Sequence, residues 1–245
     1  MTTATLHLPP SLSLFGVEAF RAAFEYAGLH LMDRSRLPAG DGHPVVFFPG
    51  LATDRRAIAP LRNQCRDLGY EVYDWELGFN TGHQGSIDEW LAGLVRHVET
   101  VAATHGRRAS LVGWSLGGIY AREIAKLAPD AVRQVITLGT PFAGSGHDTH
   151  AGWLYGALNG QVPAVDAALS QRLRTTPGVP TTSIYSRSDG VVAWQACVLR
   201  RTARAENVEV DGSHMGLPWN PTVVSVVADR LAQPEGGWRH HVPRD

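Results

Sequence analysis

Apolar and polar positions alternate in two rhythms along the chain. Short runs rich in β-branched residues, "VVFFPG" from Val45, "YEVYDWEL" from Tyr70, "ASLVG" from Ala109, "VRQVITLGTP" from Val132, "TTSIYSRSDG" from Thr181 and "ENVEVDGSH" from Glu206, read as six buried strands. Between them, apolar residues recur at helical spacing in "AIAPLRNQCRDLG", which Gly69 closes. The same spacing recurs in "SIDEWLAGLVRHVETVAATHG", which Ser86 and Glu89 open as a capping box, in "LGGIYAREIAKLAPD" and in "NPTVVSVVADRLAQ". Strands alternating with crossovers long enough for a helix predict a parallel sheet covered on both faces, an α/β architecture in a single domain over residues 1–245.

Three segments depart from plain alternation. An N-terminal stretch, about 11–35, carries Phe15, Ala19, Phe20, Ala23, Phe24 and Ala27 in a helical stripe and predicts a helix laid over one edge or face. An insertion at about 142–180 interrupts the pattern, and a tail at about 233–245 reads as a loosely held terminus with His240 and His241 in solvent.

Between the third strand and its helix stands G-x-S-x-G: Gly113, Trp114, Ser115, Leu116, Gly117. A strand turning this abruptly into a helix needs residues without a Cβ on both sides of the turn, and Gly118 lets the helix pack closely. An incidental serine in a glycine-rich turn has the same letters, so the nucleophile hypothesis rests on its partners. It requires an acid and then a histidine at the ends of later strands. Asp189 follows the strand "TTSIY", and His214 follows "NVEV". Asp189 also suits a tight Asp-Gly turn, and His214 is one of eleven histidines. Asp211 is a rival acid, but it shares a loop with His214; Asp148 and Asp166 lie in the insertion.

Composition narrows the partners. The chain has 245 residues, 44% hydrophobic and 18% charged, with a net charge of -1, enough apolar mass for one core and no electrostatic case for nucleic acid. Cys65 and Cys197 have neither metal nor redox spacing. No cofactor or metal is required. No apolar run reaches the length of a membrane span, and the start lacks the pattern of a cleaved leader, so a cytoplasmic enzyme is the expectation.

"GWSLGG", "SRSDGVV" and "GSHMGL" resemble the nucleophile, acid and histidine segments of α/β-hydrolase-fold serine esterases and lipases. "VITLGTPFAG" and "VVFFPG" resemble the corresponding strands of bacterial lipases. The resemblance spans about Pro44 to Leu231, with departures. Phe142 stands where those lipases often carry histidine, Pro49-Gly50 replaces the commoner His-Gly, and two N-terminal strands of the superfamily are missing. It implies a mostly parallel six-stranded sheet with helices on both faces and a small helical lid formed by the insertion. It also implies a triad of Ser115, His214 and Asp189 with oxyanion donors at the main-chain N–H groups of Leu51 and Leu116. Trp153, Leu154 and Tyr155 in the insertion, with Trp114, Phe142 and Trp219, are candidate apolar substrate contacts.

The expected activity is hydrolysis, through an acyl-enzyme, of a small-molecule carboxylic ester with an apolar acyl or aromatic part. Thioester hydrolysis or acyl transfer would use the same triad. A catalytically idle fold that binds a ligand is the alternative of a different class. Oligomeric state is not readable from the chain.

Overall fold

The computed structural model describes residues 10–83, 85–144 and 167–243. Six strands form one parallel sheet in the order β2-β1-β3-β4-β5-β6. They are β1 (Pro44–Phe48), β2 (Glu71–Asp74), β3 (Ala109–Trp114), β4 (Val132–Leu138), β5 (Thr181–Tyr185) and β6 (Ala205–Glu209). All six expected strands are present. Helices α1 (Leu12–Gly16) and α2 (Glu18–Leu31) precede the sheet; α3 (Ala59–Asp67), α4 (Ile87–His105), α5 (Leu116–Leu127), α6 (Ala167–Arg174) and α7 (Pro221–Leu231) follow between and after its strands.

Successive side chains on a strand point to opposite faces, and both faces of this sheet are apolar. Val45 and Phe47 of β1 enter one core with Ile58, Leu61 and Val227, under α3 and α7. Val46 and Phe48 enter the other with Leu91, Leu94, Val98 and Ile124, under α4 and α5. Full burial of one such side chain contributes about 2 kcal/mol, which is why the strands read as continuous apolar runs. Ser86 occupies the N-cap of α4 as expected, yet its side chain makes no capping bond.

The N-terminal helices correct the expected stripe. Phe15, Phe20 and Phe24 are exposed, and the buried positions of α2 are Glu18, Ala22 and Leu29. Its inward face is mixed: Glu18 meets loop main chain, while Leu29 joins the core under α3 and α7. The tail is also held. Arg230 Nη1 donates to the Arg239 carbonyl, the His241 ring pairs with Asp229 at 3.0 Å, and His240 Nε2 lies 2.8 Å from the Thr202 carbonyl oxygen.

Of the insertion, residues 145–166 lie outside the described residues, and with them the expected lid contacts Trp153, Leu154 and Tyr155. Its return is anchored to α5. Arg122 Nη2 donates to the carbonyls of Leu173 and Thr175, and Lys126 Nζ to that of Arg172, placing cations at the C-terminal end of α6 where the helix dipole favours them.

Candidate active site

Ser115 sits between β3 and α5 with φ 53 and ψ -121, a backbone region rare for a residue bearing a Cβ. Such a conformation stores about 1–3 kcal/mol and persists only where its surroundings enforce it. Here they do. The Ser115 N–H donates to the Leu138 carbonyl at 2.8 Å. A Cβ on Gly113 would lie 2.5 Å from the Gly117 carbonyl oxygen, and one on Gly117 would strike the Phe48 carbonyl. The chain crosses itself so closely that only glycine fits on either side of the serine.

The loop after β1 lies against this turn, for a Cβ on Gly50 would be 3.4 Å from that of Ser115. Asn80 braces the loop by donating to the Pro49 carbonyl at 2.8 Å and accepting the Ala52 N–H at its own carbonyl, also at 2.8 Å. The main-chain N–H groups of Leu51 and Leu116 have no partner among the described residues. Leu116 opens α5, where unpaired N–H groups and the dipole favour developing negative charge.

Asp189 and His214 emerge from the carboxyl ends of the adjacent strands β5 and β6. His214 Nδ1 lies 2.7 Å from Asp189 Oδ2, with both side chains buried. The other carboxylate oxygen accepts the N–H groups of Val191 and Val192 at 2.8 and 2.7 Å, closing a turn that aims the acid. Burial disfavours a charged His214 ring, but the charge and hydrogen bond of Asp189, aided by the charge of Glu18, outweigh it and raise the pKa above the ordinary histidine value. Asp211 is excluded as its partner: its side chain is 92% exposed and binds Ser188 and Arg21.

Three proposed substrate contacts face protein. Trp114 is buried and donates its indole N–H to the His214 carbonyl at 3.1 Å, so it supports the histidine loop. Trp219 donates to the Ala22 carbonyl at 2.8 Å and packs edge-on against Tyr26. Phe142 is buried with Arg122 stacked 3.8 Å above its ring. Apolar character alone did not reveal which side each ring faces.

Sequence reasoning missed a second serine–histidine–aspartate row at the opposite end of the sheet. His43 Nδ1 lies 2.5 Å from Asp41 Oδ1, and Nε2 lies 2.7 Å from Ser110 Oγ. This row has the residue types of a triad without its setting. Ser110 is wholly buried within β3 and also receives the Gln134 amide at 3.3 Å, so no substrate reaches it. The spacing of Asp41 and His43 just before β1 was the available signal.

No protein-family model matches the chain. Among solved structures, Aspergillus fumigatus lipase B aligns with a TM-score of 0.63 at 19% identity, covering 83% of this chain and 56% of that one. The mature Bacillus licheniformis lipase BlEst2 aligns at 0.60 and 20%, covering 80% and 94%. These likenesses define the fold: the chain has the α/β-hydrolase fold. In sequence it is similar to a triacylglycerol lipase of Pseudarthrobacter phenanthrenivorans, 35% identical over 116 residues, which are 44% of this chain and 35% of that protein. It is also similar to a pimeloyl-[acyl-carrier protein] methyl ester esterase of Shewanella woodyi, 27% identical over 106 residues, 41% of this chain and 37% of the other. The matches span little more than a third of these curated relatives. Among the described residues, no helix is long and apolar enough to cross a membrane.

Proposed function

We propose that the chain is a serine hydrolase cleaving small carboxylic esters with an apolar acyl or aromatic part, through Ser115, His214 and Asp189. The observation that carries this reading is a serine held at φ 53 on a strand-to-helix turn, together with a buried histidine–aspartate pair 2.7 Å apart at the neighbouring strand ends. Leu51 and Leu116, which carry the two unpaired N–H groups, are apolar and half-buried, and Met215 beside the histidine is apolar and exposed. They suit an apolar substrate better than a sugar. The two curated relatives differ in their named substrates and share ester hydrolysis.

A serine hydroxyl is a weak nucleophile at neutral pH, so His214 Nε2, the ring nitrogen not engaged by Asp189, removes its proton as Oγ attacks the ester carbonyl. The oxyanion that forms accepts hydrogen bonds from Leu51 N–H and Leu116 N–H, each worth on the order of 3 kcal/mol in the transition state. Collapse expels the alcohol, which takes the proton from His214 and leaves the acyl group on Ser115. Water then enters with His214 again as base and releases the acid. Asp189 holds the ring in the required tautomer and stabilises the imidazolium.

The test is an intact-mass measurement with a fluorophosphonate probe. One adduct per chain, mapped to Ser115 and accompanied by loss of p-nitrophenyl butyrate hydrolysis, is expected. Labelling elsewhere, or turnover unchanged in Ser115→Ala, would overturn the assignment. Comparing ester with acyl-CoA substrates, with and without added alcohols, separates ester hydrolysis from thioester hydrolysis and acyl transfer.

A further inference from the structure

The acid and histidine loops do not hold each other through the catalytic pair alone. Both are fastened to α2, which enters the chain ahead of the whole sheet. Glu18 is 2% exposed, and its carboxylate accepts three main-chain N–H groups. Oε1 receives Gly190 at 2.7 Å and His214 at 3.1 Å, and Oε2 receives Met215 at 2.9 Å. One carboxylate thus joins the residue after Asp189 to His214 itself.

We propose that Glu18 is a positioning residue for the Asp189–His214 pair, setting the acid and histidine loops at their working separation while placing a negative charge behind the imidazole. This rests on the serine-hydrolase reading above. Two further observations support it. A Cβ on Gly190 would lie 2.6 Å from the Leu14 carbonyl carbon and oxygen, and one on Gly216 would strike the Glu25 carboxylate. Each loop therefore carries a residue without a side chain where the N-terminal helices press on it.

Among the described residues, charged groups approach His214 from the acid loop and from α2. Asp189 faces the ring from the acid loop, and Glu18 lies behind its main chain from α2. One turn further along α2, Arg21 binds the Ser188 carbonyl and hydroxyl and reaches Asp211. Two turns on, Glu25 accepts the Ser213 N–H and hydroxyl at 2.6 and 2.7 Å. Arg21 also bridges the two loops, through Ser188 and Asp211, but among these groups Glu18 is the one that binds His214 itself, and its charge adds to that of Asp189 in favouring the protonated ring.

Glu18→Gln keeps the shape, removes the charge and turns an amide N–H₂ toward N–H donors. Steady-state hydrolysis of p-nitrophenyl butyrate, melting temperature and an NMR titration of His214 should be measured in wild type, Glu18→Gln and Glu18→Asp. Expected in Glu18→Gln are a kcat at least about ten-fold lower, a KM within about two-fold, and a His214 titration moved to lower pH. Glu18→Asp retains the charge but is one methylene short; it should recover most of the titration and little of kcat. A merely structural role lowers the melting temperature and leaves kcat per probe-labelled site and the His214 titration unchanged, and that result overturns the proposal. A wild type that neither labels at Ser115 nor hydrolyses esters defeats the functional reading instead. The His214 titration still judges Glu18 in that case, because it needs no turnover.

Discussion

Acid should destabilise this protein through a residue far from the nucleophile. His43 is wholly enclosed, and burial together with the charges of Arg133 and Arg107 holds its pKa down at about 4 against the pull of Asp41. In the unfolded chain a histidine titrates near about 6.5. Between those values the unfolded chain binds a proton that the folded chain refuses, so the stabilisation is fully present above the unfolded value and is lost as pH falls toward 4. A gap of about 2.5 pH units corresponds to on the order of 3 kcal/mol, a large share of a domain's net stability. Asp41 extends the loss to lower pH: burial opposes its charge, but hydrogen bonds from His43 and Arg133 outweigh this and hold it below the usual carboxylate range. Urea unfolding at several pH values from 7.5 to 4.5 measures the effect, with His43→Asn as comparison because asparagine keeps a donor for Asp41 and does not titrate. His214 works in the opposite sense, its raised pKa stabilising the fold at low pH, and it cancels in the comparison. Stability curves that run parallel for wild type and His43→Asn would refute the reasoning.

Other expected outcomes follow from the site. Asp189→Asn should lower kcat by on the order of 10⁴-fold, about 5 kcal/mol, because an amide at Oδ2 favours the wrong histidine tautomer, while Asp211→Asn should stay within about three-fold of wild type; steady-state kinetics on both variants decides which acid serves His214. The rising limb of kcat/KM against pH should lie above the ordinary histidine value of about 6.5, since the proposed base is His214 with its raised pKa, and a limb below that value would point to another base. Gly117→Ala should lower the melting temperature and abolish probe labelling together, since its Cβ would meet the Phe48 carbonyl at the end of β1.

The strands and the acid–histidine pair were legible because their signals are local. Period-two apolar runs and Gly-x-Ser-x-Gly need only neighbouring residues, and Asp189 and His214 could be placed by counting from strand ends. What stayed hidden is non-local. The stripe of Phe20 and Phe24 suggests a buried face, yet Glu18 is buried instead because its partners are loop N–H groups that no periodicity reveals. His241 reads as solvated until folding brings Asp229 and Glu206 beside it. Trp114, Phe142 and Trp219 are equally apolar whether they line a substrate or brace a loop, and only the indole hydrogen bonds and the Arg122 stack distinguish the two.

The bonds from Glu18 join residues 172, 196 and 197 positions apart. Segments so distant meet only after most of the chain is in place, because closing a long loop must precede any gain from the contact. The sheet and its two cores can therefore condense while the acid and histidine loops are still unanchored, and competence is the last thing folding confers. The order reverses on warming. A helix whose outward aromatics face solvent has fewer buried apolar contacts than β1 or β3, so it belongs to the units that open first. Catalytic function should then disappear, reversibly, at a temperature where the far-ultraviolet signature of the sheet is still intact.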